Sequence, residues 1–220
     1  MNLTIYAIDL LKLQQLRAEF MKKYHIPEKV QHMKEDDRVG WLKTASESVH
    51  PDMEYIKWRD EIAQDRSIKL NREDSGYYSY EQDIAQKACD EYTGLTDKAK
   101  VDAFESSYDD FDLIRDGIGA IFGAGYYETQ SGEKRFSGAS QFDDGFAGAL
   151  FRFLGHDNYY GELDVDSIKR LSFLIRRYHV VDQLRNYPEL DQPDIRKKTQ
   201  EFYRFLVMSS VKPAVYWKFC

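Results

Sequence analysis

The sequence opens with a run of strand-forming side chains, Leu3-Thr4-Ile5-Tyr6-Ala7-Ile8. It closes with a second run of the same kind, Ala214-Val215-Tyr216-Trp217-Lys218-Phe219. Because β-branched and aromatic residues favour extended backbone, both runs predict strands. They are the clearest β signals in the chain, and we expect the two strands to lie in one small sheet.

Helical spacing dominates between these two runs. Apolar residues recur at intervals of three and four, as in the series Leu13, Leu16 and Phe20, which is typical of amphipathic helices. Aspartates and serines stand where such series begin, and glycines where they end, as caps do. We therefore predict an α+β fold that is mostly helical, in which about seven or eight helices cover a small sheet containing the N- and C-terminal strands.

Length and composition favour one globular domain over residues 1–220. The chain has 220 residues, of which 42% are hydrophobic and 15% aromatic, and this content excludes a chain too polar to build a core. No repeat, linker or low-complexity stretch divides it. The two cysteines, Cys89 and Cys220, form no CxxC pair, so neither a metal site nor a redox site is predicted from them.

Two internal segments carry local predictions. Thr96 is in a position to cap a helix, and the spacing of Val101, Phe104 and Tyr108 predicts that this helix continues with these three side chains facing inward. Residues 125–142 are rich in glycine, serine and tyrosine. That composition predicts a mobile surface loop or a hairpin.

Charge is unevenly distributed along the chain. Residues 101–150 contain ten acids and three bases, a net charge of −7, whereas residues 151–220 contain nine acids and twelve bases, a net charge of +3. An acidic segment of this kind could steer a basic partner, although a solvated acidic helix face is the more ordinary explanation. The sequence lacks the basic stripe that would predict nucleic-acid binding. The start lacks a signal-peptide pattern and no apolar run could span a bilayer, so we expect a cytoplasmic protein without a membrane partner.

Glycines recur at residues 117–123, in the pattern GxGxxxG. A dinucleotide-binding loop requires a preceding strand and a helix that begins at the glycines. Here the glycines lie late in a helical series, so we interpret them as allowing close helix packing. The sequence also lacks GK[ST], GxSxG and HExxH, which excludes three common classes of catalytic or phosphate-binding motif.

The densest polar and aromatic cluster is a predicted loop at residues 156–162. Its candidate binding residues are His156, Asp157, Tyr159 and Tyr160. A histidine beside an aspartate could bind a metal or exchange protons, while a turn with a solvated histidine is the ordinary alternative. The other histidines show no ligand spacing, so no catalytic residue, metal ligand or cofactor is predicted.

The order of elements resembles that of the YfbM-like family of uncharacterised bacterial proteins. Members open with a strand and a helix, as residues 3–9 and the leucines after them do, and have a middle helix followed by a glycine, which residues 111–123 match. A helix entry matches residues 163–168, and a closing helix and strand match residues 201–219. The resemblance implies a bacterial protein, and it supplies no catalytic residues.

Two hypotheses of function follow. The first is a non-catalytic interaction protein of the immunity, inhibitor or adaptor type, which binds a protein with a basic surface. It rests on the acidic segment, on the tyrosine-rich loops and on the lack of a catalytic constellation. The alternative is a small metal-assisted hydrolase that uses His156 and Asp157. Neither hypothesis includes an oligomeric state.

Overall fold

The computed structural model describes residues 2–70, 79–128, 134–138, 142–155, 161–184 and 192–220. The chain forms two compact units. Unit 1 comprises Met1–Leu10 and Lys100–Cys220, and unit 2 comprises Leu11–Ala99. Whether the two behave as the single domain expected for residues 1–220 stays a prediction. No helix in the described ranges combines the length and the apolar character needed to cross a membrane.

The described residues form eleven helices, of which eight are longer than ten residues, and five of the eleven belong to the unit that contains the sheet. Apart from Leu10, the helices of unit 2 are α1 (Leu10–Lys23), α2 (Glu28–Gln31), α3 (Glu35–Glu47), α4 (Met53–Gln64), α5 (Tyr80–Thr93) and α6 (Leu95–Lys98). The helices of unit 1 are α7 (Tyr108–Ile121), α8 (Asp144–Leu154), α9 (Val165–Arg177), α10 (Val180–Gln183) and α11 (Pro193–Ser210).

Unit 1 contains all six strands of the described ranges. They are β1 (Asn2–Asp9), β2 (Lys100–Ser107), β3 (Gly125–Glu128), β4 (Lys134–Ser137), β5 (Gly161–Leu163) and β6 (Val215–Phe219). Four of them form an antiparallel sheet in the order β2-β1-β6-β5, and β3 pairs with β4. The α+β, mostly helical fold is confirmed.

The two terminal strands are neighbours in this sheet. β1 pairs with β6, with Ile5 opposite Phe219 and Ala7 opposite Trp217. This confirms the predicted common sheet. The β3–β4 pair likewise confirms the hairpin alternative for residues 125–142, of which residues 129–133 and 139–141 lie outside the described ranges.

The helix predicted through residues 101–108 is wrong. Residues 100–107 form β2, which pairs antiparallel with β1 and places Phe104 opposite Ile5. Phe104 is buried, but Val101 is 36% exposed, so the helical spacing of the apolar residues did not mark one buried face. The helix begins later, at Tyr108, where the Ser107 hydroxyl accepts a hydrogen bond from the Asp110 amide at 3.1 Å.

Aromatic rings fill the core of unit 1. Phe202 contacts Phe104, Phe111, Phe153 and Trp217, with ring centroids 5.4 to 5.8 Å apart. Such pairs add to the free energy gained from burial alone. The core therefore joins β2, β6, α7, α8 and α11 in one cluster.

Gly119, in the GxGxxxG series, lies in a crowded position at the end of α7. A Cβ atom there would lie 2.6 Å from the Ala124 carbonyl oxygen and 3.5 Å from a Leu154 methyl group. The crowding at this glycine is with the turn that follows α7, so the predicted close packing between helices stays a prediction. The series lies late in α7, which is not the position of a phosphate-binding loop.

Unit 2 buries charged side chains and uses their donors internally. Arg38 is only 8% exposed and donates to the carbonyl oxygens of Val30, Gln31 and Met33 at 2.7 to 3.2 Å. The same guanidinium donates to the Tyr92 hydroxyl at 2.8 Å. Burial raises the pKa of Tyr92, so its hydroxyl stays neutral.

Candidate functional site

The sequence-predicted site residues His156, Asp157, Tyr159 and Tyr160 lie outside the described ranges. The structure therefore does not test them. Within the ranges that it does describe, no group of three histidine, cysteine, aspartate or glutamate side chains could hold a metal ion. The metal-assisted hydrolase stays a prediction.

One groove of unit 1, between α8 and α9, has arginines in its lining that form ion pairs within the chain. It has a volume of about 350 Å³ and is lined by side chains that include Arg152, Arg170 and Asp164. The guanidinium of Arg152 pairs with Asp164, and that of Arg170 lies 3.9 Å from Asp143 and over the ring of Phe146. Both cations are thus engaged within the chain, so neither is left to attract an anionic ligand.

A second groove of unit 1 lies between β2 and α11, and we call it the edge groove. Its volume is about 410 Å³. The residues that line it are Asp102, Ala103, Phe104 and Glu105 from β2, and Lys198, Glu201, Arg204, Phe205 and Met208 from α11. β2 is the edge strand of the sheet, so no described strand pairs with it on the groove side.

Both walls of the edge groove are held by the core. On β2, residues 102, 104 and 106 lie opposite Ala7, Ile5 and Leu3 of the central strand. On α11, Phe205 stacks on Trp217 with ring centroids 5.0 Å apart. The Trp217 indole N–H donates to the Ser209 hydroxyl at 2.9 Å. These contacts make the groove a preformed feature of unit 1.

The floor of the edge groove is aromatic. The rings of Phe104 and Phe205 are buried, and their centroids lie 6.1 Å apart. An exposed apolar side chain flanks this floor on the helix, Met208, which is 47% exposed. Aromatic rings and methionine provide the adaptable apolar contact that interaction surfaces use.

Exposed carboxylates border this floor. Asp102 and Glu105 are exposed, and neither carboxylate forms an ion pair with any described residue. On the helix side, Lys198 is engaged, because its ammonium lies 3.0 Å from the carboxylate of Glu201, whereas Arg204 has no ion-pair partner among the described residues. The strand side of the groove therefore presents unpaired negative charge.

Two backbone groups of the edge strand form hydrogen bonds with side chains of the same protein. The Asp102 carboxylate accepts a hydrogen bond from the Ala103 amide at 2.9 Å, and the Lys198 ammonium donates to the Glu105 carbonyl oxygen at 2.9 Å. In an antiparallel ladder, alternate residues direct both backbone groups away from the partner strand. Ala103 and Glu105 are two residues apart, which places both at outward-facing positions.

Sequence reasoning missed the edge groove because it assigned β2 to a helix. Asp102 and Glu105 did belong to the acidic segment that predicted a basic partner. Lys198 gives no signal of its own in the sequence, since its partner is a backbone oxygen 93 residues away. A strand prediction for residues 100–107 would have been the one signal able to find the site.

No family model matches the chain, and no curated protein or solved structure shows significant similarity to it. The resemblance to the YfbM-like family therefore stays a prediction. What supports a function is the chemistry of the described residues.

Proposed function

We propose that this protein is a non-catalytic interaction module of the immunity, inhibitor or adaptor type. Its partner is a protein with a basic surface, and its docking site is the edge groove. The observation that carries this proposal is the combination of an aromatic floor with exposed carboxylates on Asp102 and Glu105 that have no ion-pair partner in the described ranges. Carboxylates left unpaired beside an apolar floor favour a ligand that is both basic and apolar.

The size of the groove supports a segment of a protein as the ligand. A volume of about 410 Å³ accommodates a few side chains, and the groove follows β2 over residues 102–105. An extended segment runs about 3.3 Å per residue and could follow those four residues side by side. Complementary charge would then set the association rate and the choice of partner.

A peptide selection tests this proposal. A library of random twelve-residue peptides is selected on the immobilised wild-type protein, and the enriched peptides are measured individually by isothermal titration calorimetry. We expect enrichment of peptides that combine lysine or arginine with apolar residues. Their affinity should fall by about tenfold in the double variant Asp102→Asn, Glu105→Gln, because two unpaired charges are lost.

A matched variant controls for net charge. Asp109→Asn with Asp116→Asn removes the same two charges from exposed residues of α7 that do not line the groove. This control should bind the selected peptides within about twofold of wild type. Enrichment of peptides without positive charge, or equal losses in the two double variants, would contradict the proposal.

A further inference from the structure

We propose that the edge groove binds its partner by adding a strand, so that an extended segment of the partner pairs antiparallel with β2. This inference rests on the proposed function and specifies the partner segment. β2 ends the sheet on one side, and Val101, Asp102, Ala103 and Glu105 are exposed. An exposed edge strand offers backbone donors and acceptors at a fixed spacing, which is what strand addition requires.

The outward-facing residues fix where the hydrogen bonds would form. The Ala103 amide and the Glu105 carbonyl oxygen are the two groups now occupied by the side chains of Asp102 and Lys198. A strand paired with β2 would exchange backbone hydrogen bonds with Ala103 and Glu105 and replace these two side-chain contacts. The antiparallel orientation gives the more stable ladder of the two.

Cross-strand neighbours then define the partner sequence. A residue opposite Glu105 should be basic, one opposite Phe104 should be apolar, and one opposite Asp102 should be basic, because directly opposed side chains on one face interact. The residue opposite Ala103 is not constrained by charge. Written from its N-terminus in the antiparallel orientation, the partner segment is basic, apolar, any residue, basic.

Lys198 acts as a latch on this edge. Its ammonium holds the Glu105 carbonyl oxygen at 2.9 Å and lies 6.0 Å from the centre of the Phe104 ring. It thereby occupies both a backbone acceptor and part of the space above the aromatic floor. A latch of this kind also protects a free edge from pairing with itself, which edge strands otherwise risk. Removing it should favour the partner strand.

The probe for the test is a blocked peptide, acetyl-Thr-Thr-Lys-Leu-Thr-Lys-Thr-Thr-amide, titrated into the wild-type protein. The reversed core, Lys-Thr-Leu-Lys in the same threonine frame, has the same composition and reports on strand direction. We expect the first peptide to bind at least about fivefold more tightly than the reversed one, since only it places leucine opposite Phe104 in an antiparallel pair. Tighter binding of the reversed peptide would overturn the antiparallel orientation.

Two N-methylated isomers of the first peptide test the backbone pairing itself. One is methylated on the amides of the first lysine and the central threonine, which face β2. The other is methylated on the amides of the leucine and the second lysine, which face away. Strand addition predicts that the first isomer loses at least about tenfold in affinity and that the second binds within about threefold of the parent peptide. Equal effects of the two isomers would overturn strand addition.

Two protein variants test the latch. Lys198→Met should raise the affinity for the parent peptide by about fivefold more than Lys197→Met does. Both changes remove one positive charge from the same helix. The Lys197 ammonium, however, lies 3.9 Å from the Glu201 carboxylate and makes no hydrogen bond to β2. Equal gains in the two variants would show that charge alone is responsible and would overturn the latch.

These outcomes separate the two proposals. If the parent peptide binds, loses affinity in the Asp102→Asn, Glu105→Gln variant and responds equally to both N-methyl isomers, the docking site stands and strand addition fails. If the parent peptide does not bind at millimolar concentration, strand addition is overturned, and the library selection decides the proposed function by itself.

Discussion

The buried arginines of unit 2 contrast with the exposed carboxylates beside the edge groove of unit 1. Unit 2 places arginines inside and satisfies them, as with Arg38, and with Arg59, which donates to the carbonyl oxygens of Ala45 and Ser48. Unit 1 builds its core from aromatic rings and leaves carboxylates exposed beside the edge groove. Charged groups that are fully used inside a unit stabilise it, whereas exposed unpaired ones are available to a partner. The edge groove of unit 1 is therefore available to a partner.

The largest effect is expected from the aromatic core of unit 1. Phe202→Ala should lower the free energy of unfolding by about 4 kcal/mol, because the substitution leaves a cavity among four rings. Urea unfolding followed by Trp217 fluorescence, in a background where Trp41 and Trp58 are phenylalanine, measures it. A loss below about 1 kcal/mol would mean that the cluster repacks.

The thiol of Cys89 reports on unit 2 in the same experiment. Burial raises the pKa of the Cys89 thiol, so it should resist alkylation until unit 2 opens. In a Cys220→Ser background, the urea concentration that exposes Cys89 can be compared with the one that exposes Trp217. Coincident shifts caused by Phe202→Ala would show that the two units unfold together.

The buried arginine of unit 2 should give the next largest effect. Arg38→Met should lower the free energy of unfolding by about 3 kcal/mol, because three carbonyl oxygens and the Tyr92 hydroxyl lose their charged donor. Chemical denaturation measures the change. Arg66→Met is the matched control, since Arg66 is exposed, and should change stability by less than about 0.5 kcal/mol.

Neighbouring serines at the end of β2 should give smaller effects of opposite sign. The Ser106 hydroxyl is buried without a hydrogen-bond partner in the described structure, so Ser106→Ala should stabilise unit 1 by about 1 kcal/mol. Ser107 caps α7, so Ser107→Ala should destabilise it by about 1 kcal/mol. Thermal unfolding of the two variants tests both predictions. Shifts of the unfolding temperature in the same direction would contradict the roles assigned to the two hydroxyls.

The smallest effect is a pH dependence in unit 2. The hydrogen bond from His25 and those from Ser67 lower the pKa of Asp65 from 3.8 to about 2. A folded-state pKa below the unfolded one stabilises the fold above the ordinary pKa, and this contribution is lost as the pH falls toward about 2. Asp65→Asn should therefore weaken the decrease in the free energy of unfolding that occurs as the pH falls into the acid range. Asp60→Asn, at an exposed position of α4, should leave that decrease unchanged.

Local signals predicted much of the fold and little of the candidate site. The terminal strands and the residue 125–142 hairpin carry their own turn and strand chemistry. The edge groove depends instead on pairs that are distant in sequence, such as Lys198 with the Glu105 carbonyl oxygen. β2 is a strand because β1 pairs with it, and spacing within residues 100–107 does not reveal a partner 92 to 105 residues earlier. Residues 161–162 of the loop predicted at 156–162 belong to β5, and the rest of that loop stays a prediction.

The position of β1 between β2 and β6 also orders events during synthesis. β1 leaves the ribosome before any other described strand, and unit 2 follows it before β2 emerges to cover one side. The other side of β1 waits until residues 215–219 have been made. A chain that stalls before that point carries a central strand with an open edge, which is a template for aggregation. Synthesis of residues 215–219 thus lets β6 cover that edge of β1.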